Sequence, residues 1–191
     1  MNYYDKHAES YINSTVSVDM SIQYSLFLPY LPKGGSILDA GCGSGRDSLY
    51  FLKLGYQVEA FDNSKAMVEH ARALTGLAVR KLSFAELDYD SAFDGIWACA
   101  SLLHVPRTEL PIVFGLLYQA LKPQGLLYCS FKNREEDFRA DERSFTCFTE
   151  QGFQSFLAEL SLFELVQLSH SADVREGRSN ERWLNVLLAR K

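Results

Sequence analysis

The sequence predicts an α/β protein built on a parallel sheet with helices on both faces. Short apolar runs alternate with helical patterns along most of the chain, as in a series of strand–helix–strand units. Right-handed crossovers between parallel strands place helices on both faces and give a doubly wound sheet. The first apolar run also opens directly into a glycine-rich turn before a helix. Since ligands of such sheets bind at the carboxyl ends of the strands, this turn is the expected centre of a binding site.

The apolar runs and the breakers between them predict the bounds of each element. Strands are expected over 36–40, 57–61, 78–82, 93–100, 126–131, 163–169 and 182–189. Helices are expected over 46–54, 65–75, 107–121 and 149–160, and a turn over 122–125. The remaining segments are an N-terminal helical segment over 1–32 and a charged surface insertion over 132–147. The whole chain, 1–191, is expected to form a single domain.

Composition and charge narrow the class of protein. A hydrophobic share of 47% with 23% charged residues is typical of a globular domain with a real core. The net charge of −5 and a pI near 5.4 argue against nucleic acid as the main partner. The N-terminus shows no apolar segment of a secretory signal, and no apolar run is long enough to span a membrane. A cytoplasmic protein without a membrane partner is therefore expected.

The four cysteines give no sign of a metal site. No two of them form a Cys-x-x-Cys pair, so a zinc site of the common kind is not expected and no metal is predicted. They are Cys42, Cys99, Cys129 and Cys147. The first three lie in apolar or glycine-rich runs, and free buried thiols fit a reducing compartment.

The strongest functional signal is the glycine-rich turn over 41–45, called the glycine turn, which contains Gly41, Gly43 and Gly45. Its glycines allow the backbone to approach a ligand closely, and the following helix adds free N–H groups and a partial positive charge. The dinucleotide fingerprint G-x-G-x-x-G would place its third small residue at Arg46, which is large and charged. Asp39, before the turn, would repel a pyrophosphate but could attract the cationic amino group of a methionine moiety. Both observations favour S-adenosylmethionine over NAD.

A second acidic residue follows the second predicted strand. Asp62 lies about 20 residues beyond the turn, where a carboxylate can accept hydrogen bonds from ribose hydroxyls. Alternatively, Asp62 only caps the helix that follows. Asn63 and Ser64 could serve as that cap without it, so the ribose role is favoured.

At this point the sequence resembles the class I S-adenosylmethionine-dependent methyltransferases over about residues 36–131. The run 37–45 resembles the first motif of the family, and 62–67 resembles its ribose-binding segment. The fourth strand of the family is similar to residues 93–97, and the cofactor-lining segment that follows it is similar to 102–105. The family's Leu-Lys-Pro-Gly-Gly turn is similar to 121–127. The resemblance implies a Rossmann-like seven-stranded sheet of order 3-2-1-4-5-7-6 with the last strand antiparallel. The short length, residues 46–48 and the ending 187–191 are also similar to the small tellurite-resistance subgroup.

The chain departs from the family after the third strand. The family often carries there an acidic residue that contacts the adenine amino group, whereas this sequence has Ser83. The adenine contact is then expected from the backbone of Phe84 or from Glu86.

The residues and the resemblance together predict a set of cofactor contacts. In the family the N-terminal segment often folds over the cofactor as a lid, and Tyr11 is the candidate contact from it, whereas Tyr3 and Tyr4 are expected to serve ordinary packing. The full set is Tyr11, Asp39, Ala40, Gly41, Cys42, Gly43, Gly45, Arg46, Asp62, Asn63, Ser64, Met67, Ser83, Phe84, Ala85, Glu86, Ala100, Ser101, Leu102 and His104.

Acceptor-binding and catalytic residues are less defined by the sequence. His104 could orient a substrate or act as a base, or could be a structural histidine bonded to a loop carbonyl. No firm base is assigned, because positioning alone can supply most of the rate of transfer from an activated sulfonium. An anionic acceptor could bind the basic cluster Arg175, Arg178, Arg182 and Trp183. Alternatively, that cluster is a solvated hairpin with Trp183 in the core.

The predicted function is in-line methyl transfer from S-adenosylmethionine to a small-molecule acceptor, with S-adenosylhomocysteine as product. The first alternative is a nicotinamide-dependent oxidoreductase, against which Arg46 argues. The second is a non-catalytic interaction module that keeps the fold, against which the intact glycines and Asp62 argue. The chain is expected to be a monomer or a homodimer.

Overall fold

A computed structural model describes residues 3–191, in which nine strands and seven α-helices are assigned. The strands are β1 (Ser36–Ala40), β2 (Gln57–Asp62), β3 (Arg80–Lys81), β4 (Phe93–Ala98), β5 (Leu121–Lys132), β6 (Phe138–Ala140), β7 (Arg143–Phe145), β8 (Phe163–Ala172) and β9 (Arg182–Arg190). The helices are α1 (Tyr3–Lys6), α2 (Ala8–Thr15), α3 (Ser21–Phe27), α4 (Arg46–Lys53), α5 (Lys65–Thr75), α6 (Leu110–Ala120) and α7 (Glu150–Leu160). Short 3-10 turns cover Leu28–Tyr30, Phe84–Glu86 and Leu102–His104.

Seven of the strands form one mixed sheet. Its order is β3-β2-β1-β4-β5-β9-β8, and the first five strands run parallel. β9 lies antiparallel between β5 and β8. Since β8 and β9 are the sixth and seventh strands of this sheet along the chain, the predicted order 3-2-1-4-5-7-6 with an antiparallel last strand is confirmed.

Two predicted elements differ from the structure around the sheet. β3 pairs with β2 only over Arg80 and Lys81, so the third strand is much shorter than the predicted 78–82. The predicted turn at 122–125 is a bulge within β5. The register with β4 moves there from Phe93↔Leu121 to Gly95↔Leu126. Pro123 cannot donate a ladder hydrogen bond and Gln124 has a positive φ of 64°, which explains the interruption.

The fourth strand also ends earlier than predicted. β4 stops at Ala98, and the chain turns at Ala100, whose φ is +50°. This turn brings Ala100 and Ser101 to the carboxyl edge of the sheet, beside the glycine turn that follows β1.

The segment 132–147, predicted as a surface insertion, contains the hairpin β6–β7. The rings of Phe138 and Phe145 stack across this hairpin with centroids 4.6 Å apart. Thr146 and Cys147 are buried where the segment returns to the core. The hairpin therefore stands at the carboxyl edge of the sheet, next to the exit of β5.

Aromatic side chains fill the core on both faces of the sheet. On one face Trp97 stacks on Tyr128 with ring centroids 4.1 Å apart, and Phe27 of α3 and Phe51 of α4 pack against Trp97. On the other face Phe114 of α6 contacts rings from α7 and β8. Among residues 3–191, no helix is long and apolar enough to cross a membrane. Within the same residues, no cluster of three or more metal-ligating side chains occurs.

Candidate functional site

The glycine turn after β1 is held against the end of β2. The backbone N–H groups of Gly41 and Cys42 both donate to the carbonyl of Phe61, at 3.0 and 2.9 Å. Gly41 has a φ of +76°, and a Cβ at this position would lie 2.5 Å from Cβ of Ser101. A side chain therefore cannot be accommodated at Gly41, because the turn after β4 packs directly on it.

Asp62 completes the turn from the end of β2. Its carboxylate accepts hydrogen bonds from the backbone N–H of Gly43 at 2.9 Å and of Ser64 at 2.8 Å. Burial raises the pKa of Asp62 above its usual range. The hydroxyl of Ser64 accepts from the backbone of Met67 and so provides the N-cap of α5. Asp62 is therefore not the cap of that helix, and its side chain lines the cavity described next.

A cavity with two lobes opens beside the turn. The first lobe, about 470 Å³, lies over the ends of β1, β2 and β4 and is mostly apolar. Predicted residues that line it include Asp62, Asn63, Ser64, Met67, Ser83, Phe84, Ala85 and Ser101. The second lobe, about 250 Å³, is more polar and extends towards β5, β8 and β9. Both lobes are lined by Tyr4, Tyr11, Gly41, Gly43, Ala100, His104 and Arg143, so the lobes meet at these residues.

Several predicted cofactor residues do not line either lobe. They are Asp39, Ala40, Gly45, Glu86 and Leu102. The carboxylate of Asp39 is buried under the turn and accepts a hydrogen bond from the hydroxyl of Ser48 at 2.6 Å. Burial raises the pKa of Asp39 to about 8. A direct contact between Asp39 and a ligand's amino group has no support in this geometry.

The alternative adenine contact at Glu86 also has no support. Glu86 is exposed, and its carboxylate accepts from the backbone and hydroxyl of Ser83, at 2.9 and 2.6 Å. These bonds form a capping box at the 3-10 turn and lower the pKa of Glu86. The side chain is thereby held away from the cavity, whereas Phe84 lines it.

A largely buried ion pair between Arg46 and Asp47 lies directly after the turn and lines the second lobe. The guanidinium of Arg46 forks onto the carboxylate of Asp47 at 2.7 and 2.8 Å and also donates to the carbonyl of Thr15 at 3.1 Å. Asp47 accepts two further bonds, from the hydroxyl of Tyr24 at 2.6 Å and from Nε1 of Trp97 at 2.8 Å. These donors keep the pKa of Asp47 below its usual range despite burial. Sequence reasoning missed Asp47, although it follows Arg46 directly.

His104 stands where the two lobes meet, as a neutral imidazole. Its Nδ1 lies 3.1 Å from the carbonyl oxygen of Ser144, which can only accept, so Nδ1 carries the hydrogen. Nε2 therefore accepts from the hydroxyl of Tyr4 at 2.6 Å. Burial lowers the pKa of His104 to about 4. His104 thus donates one hydrogen bond, from Nδ1 to the loop carbonyl of Ser144, and accepts another, at Nε2 from the hydroxyl of Tyr4.

This lowered pKa predicts that His104 makes folding stability sensitive to acid. In the unfolded chain the imidazole binds a proton near pH 6.5, whereas in the folded chain it does so only near pH 4. The stabilisation from its neutral form is thus complete above pH 6.5 and is lost as the pH falls towards 4, at up to about 1.4 kcal/mol per pH unit. Urea denaturation of a His104→Gln variant between pH 7 and 4 should show a flatter pH dependence than the wild type. A His170→Gln variant, changed at an exposed histidine, should keep the wild-type slope; equal slopes for all three proteins would contradict the assignment.

The N-terminal helices cover the first lobe. Tyr4 and Tyr11 contact each other edge to face at 5.0 Å, and both line the cavity. Asp5 accepts from the hydroxyl of Ser64 at 2.7 Å, and Lys6 pairs with Glu142 of the hairpin at 2.8 Å. α1 thus bridges α5 and the β6–β7 hairpin. Tyr3 and Tyr4, which were expected to serve ordinary packing, also line the cavity, Tyr3 in the first lobe and Tyr4 in both lobes.

Part of the predicted basic cluster, which lies in the β8–β9 connection and at the start of β9, lines the second lobe. Arg175, Arg178 and Trp183 line this lobe, whereas Arg182 is exposed and does not. Sequence reasoning missed Asp173, whose buried carboxylate accepts from the Arg175 guanidinium at 2.9 and 2.6 Å and from Nε1 of Trp183 at 3.1 Å. These bonds lower the pKa of Asp173 to about 2.

Lys132 is a further cation of the second lobe that the sequence did not single out. It is buried at the end of β5, where it contacts Glu181 and lies 3.8 Å from Asp173. Its ammonium also stands 4.6 Å from the ring centroid of Trp183. Most charges of this lobe are therefore paired with one another.

The sheet order and the glycine turn are those of the Rossmann-like fold that S-adenosylmethionine-dependent methyltransferases share. Residues 37–125 match the family model described as "Methyltransferase domain". Among curated relatives, the ubiquinone biosynthesis O-methyltransferase of Xanthomonas axonopodis pv. citri is 34% identical over 110 residues, which cover 54% of this chain and 45% of that protein. Matches to the curated relatives span less than half of the relatives' own length.

Solved structures share the fold over nearly the whole chain. The 1,6-didemethyltoxoflavin-N1-methyltransferase of Burkholderia thailandensis superposes with a TM-score of 0.79 at 21% identity, covering 98% of this chain and 84% of that one. A TehB-like methyltransferase of Corynebacterium glutamicum superposes with a TM-score of 0.71 at 18% identity, covering 99% and 98%. At these identities the likeness concerns the fold, so similarity to the tellurite-resistance subgroup stays a prediction.

Proposed function

We propose that this chain transfers a methyl group from S-adenosylmethionine to a small-molecule acceptor. The observation that carries the proposal is the two-lobed cavity, whose lobes meet at the glycine turn and His104. One lobe has the features of a nucleoside site, and the other offers space for a second ligand. The neighbour from Burkholderia was crystallised with 1,6-didemethyltoxoflavin and S-adenosylhomocysteine bound together, which supports a two-ligand cavity on this fold.

The residues of the first lobe fit the proposed cofactor. Asp62 presents a carboxylate that can accept from ribose hydroxyls, since each of its oxygens has a further lone pair. The side chains of Met67, Leu82 and Phe84 form apolar walls for an adenine ring. Gly43 leaves its side of the lobe open, because the nearest atom to a Cβ there would be in the Tyr11 ring at 3.7 Å. A methionine moiety could then pass along the turn towards the second lobe.

The chain's own residues would act mainly by positioning. When bound, S-adenosylmethionine would supply a methyl group attached to a sulfonium sulfur, and that sulfur would be the leaving group, as a neutral thioether. The residues at which the two lobes meet, among them Tyr4 and His104, would hold the acceptor atom in line with that methyl group, and the acceptor would release its proton to solvent. His104 would act by orienting the Tyr4 hydroxyl at this point, because its Nε2 accepts from that hydroxyl and burial lowers the pKa of the imidazole to about 4. The N-terminal helices lie over the first lobe, where Asp5 contacts Ser64 and Lys6 contacts Glu142.

Isothermal titration calorimetry with S-adenosylhomocysteine tests the proposal most directly. The expected result is one-site binding to this product and no binding of NAD under the same conditions. Absence of S-adenosylhomocysteine binding in a folded sample would overturn the proposal. Binding of NAD would instead favour an oxidoreductase.

An Asp62→Asn variant is expected to bind S-adenosylhomocysteine about tenfold or more weakly than the wild type. The amide removes the charge that strengthens hydrogen bonds from ribose hydroxyls, and such bonds are worth about 1.5–3 kcal/mol. Calorimetry gives the affinity, and circular dichroism checks the fold. Asp88→Asn is the matched control, since Asp88 is 68% exposed and lies outside the cavity. Unchanged affinity in Asp62→Asn would remove Asp62 from the ribose site.

A further inference from the structure

Two buried polar atoms in the second lobe have no partner. Among the described residues 3–191, the buried side-chain nitrogens and oxygens without a hydrogen bond are Oε1 of Gln23 and Nε of Arg143. Both side chains line the second lobe. Buried polar groups in folded proteins are nearly always satisfied, so two exceptions in one cavity indicate groups that a ligand completes.

Gln23 is placed at the base of the lobe by α3. The residue is 5% exposed, and its neighbours Tyr24 and Phe27 on the same helix are packed into the core. Asn185, which also lines the lobe, already accepts from Tyr128 and donates to Ser171. The free oxygen of Gln23 therefore requires a donor, an N–H or O–H group, from the ligand.

Arg143 is placed at the junction of the lobes by β7. Its guanidinium lies over the ring of Tyr3 at 3.9 Å and near the ring of Phe145 at 5.2 Å. One terminal nitrogen lies 3.2 Å from Asp141, a side chain that is 69% exposed, while Nε stays unpaired. A planar guanidinium that is fixed on aromatic rings with an open N–H suits a carboxylate, which can accept two parallel bonds.

The size and walls of the second lobe limit the ligand further. Its volume of about 250 Å³ is below the range of pockets for drug-sized ligands. Aromatic walls come from Phe138, Phe145 and Trp183. A small flat molecule fits this space, whereas a long isoprenoid tail or a segment of another protein does not.

We propose that the second lobe binds a small aromatic acid as the methyl acceptor, with Gln23 accepting from a ring hydroxyl or N–H group and Arg143 binding the carboxylate. The inference rests on the proposed function, because it takes the second lobe to be the acceptor site. Gln23 and Arg143 then determine specificity. Gln23 recognises the ring hydroxyl or N–H group of the acceptor, and Arg143 recognises its carboxylate.

Binding of three probes to the protein saturated with S-adenosylhomocysteine tests this inference. Protocatechuate carries ring hydroxyls and a carboxylate, its methyl ester lacks the charge, and benzoate lacks the hydroxyls. Calorimetry should show protocatechuate binding about tenfold or more tightly than each of the other two. Equal binding of all three, or no binding of protocatechuate, would overturn the proposal.

Two variants test which residue recognises the ring hydroxyls and which recognises the carboxylate. Gln23→Leu should remove the preference for protocatechuate over benzoate, and Arg143→Met should remove its preference over the methyl ester. The matched controls are Gln154→Leu and Arg139→Met, which change exposed residues, the second on the same hairpin, and should keep both preferences. Persistence of either preference in its variant would overturn the role of that residue.

The affinity for S-adenosylhomocysteine separates this inference from the proposed function. Gln23→Leu should bind the product within about twofold of the wild type, because the proposal places Gln23 against the acceptor, and Gln23 does not line the first lobe that would hold the nucleoside. A tenfold weaker affinity would assign Gln23 to the cofactor and overturn its role towards the acceptor. Failure of the wild type to bind S-adenosylhomocysteine would instead overturn the proposed function itself.

Discussion

An Asp47→Ala variant is expected to lose about 3–5 kcal/mol of its free energy of unfolding. The side chain of Asp47 is 9% exposed and that of Arg46 is 20% exposed, so removal of the carboxylate leaves a largely buried guanidinium without its counter-charge. The hydroxyl of Tyr24 and the indole N–H of Trp97 lose their acceptor at the same time. Since single domains are stable by about 5–15 kcal/mol, such a loss approaches the whole stability of the chain.

Urea denaturation followed by circular dichroism measures this loss, with Asp88→Ala as the matched control. Asp88 forms an exposed ion pair with Arg80 at 3.1 Å, and its removal should change the free energy of unfolding by no more than about 1 kcal/mol. If Asp47→Ala does not fold, Asp47→Asn keeps the shape of the side chain and should fall between the two. A change in Asp47→Ala as small as in Asp88→Ala would contradict the role of Asp47 as the acceptor that joins α3, α4 and β4.

The sequence predicted the elements around the glycine turn because their signals are local. The apolar run that forms β1 ends in glycines with positive φ, and Ser64 caps α5 directly before its first turn. The short β3 and the bulge in β5 were missed, since both depend on how far each strand pairs with its neighbour. Pairing at a sheet edge is a property of tertiary structure that a pattern along one segment does not contain.

The first lobe was predictable in larger part than the second. Gly41, Gly43 and Asp62 occur in two short motifs, and their positions at the ends of β1 and β2 follow from the parallel register of those strands. The second lobe combines side chains from α3, the β6–β7 hairpin and β9, which are far apart in the chain. Gln23 and Arg143 belong to no motif, so only the folded structure shows that both lack partners in one cavity.

Residue type alone also failed to separate the roles of neighbouring acids. Asp39, Asp47 and Asp62 all lie around the turn, and functional roles were predicted for Asp39 and Asp62. The carboxylate of Asp39 accepts from Ser48 and lines neither lobe, that of Asp47 pairs with Arg46 beside the second lobe, and that of Asp62 lines the first lobe. The difference arises from which side of the strand or helix each carboxylate occupies, combined with the buried donors on that side.

A Gly43→Ala variant is expected to keep its fold and to lose S-adenosylhomocysteine affinity by more than about tenfold. The new methyl group would meet the Tyr11 ring at an ordinary van der Waals distance of 3.7 Å, so the protein itself has room for it. It would, however, project into the space along which the methionine moiety is proposed to pass. The positive φ of 53° adds a strain of about 1–2 kcal/mol that does not depend on the ligand.

Two control variants, Gly76→Ala and Gly41→Ala, separate the effect of backbone strain from the effect of a methyl group that occupies the ligand's space. Gly76 ends α5 with a φ of +75° and has no atom within 4 Å of a built Cβ, so Gly76→Ala should show the strain alone and bind S-adenosylhomocysteine normally. Gly41→Ala should lose both stability and binding, because its Cβ would lie 2.5 Å from Ser101. Denaturation and calorimetry on the three variants give both quantities. Wild-type affinity in Gly43→Ala would mean that the ligand does not approach the turn at this residue, and the cofactor would then have to lie elsewhere in the cavity.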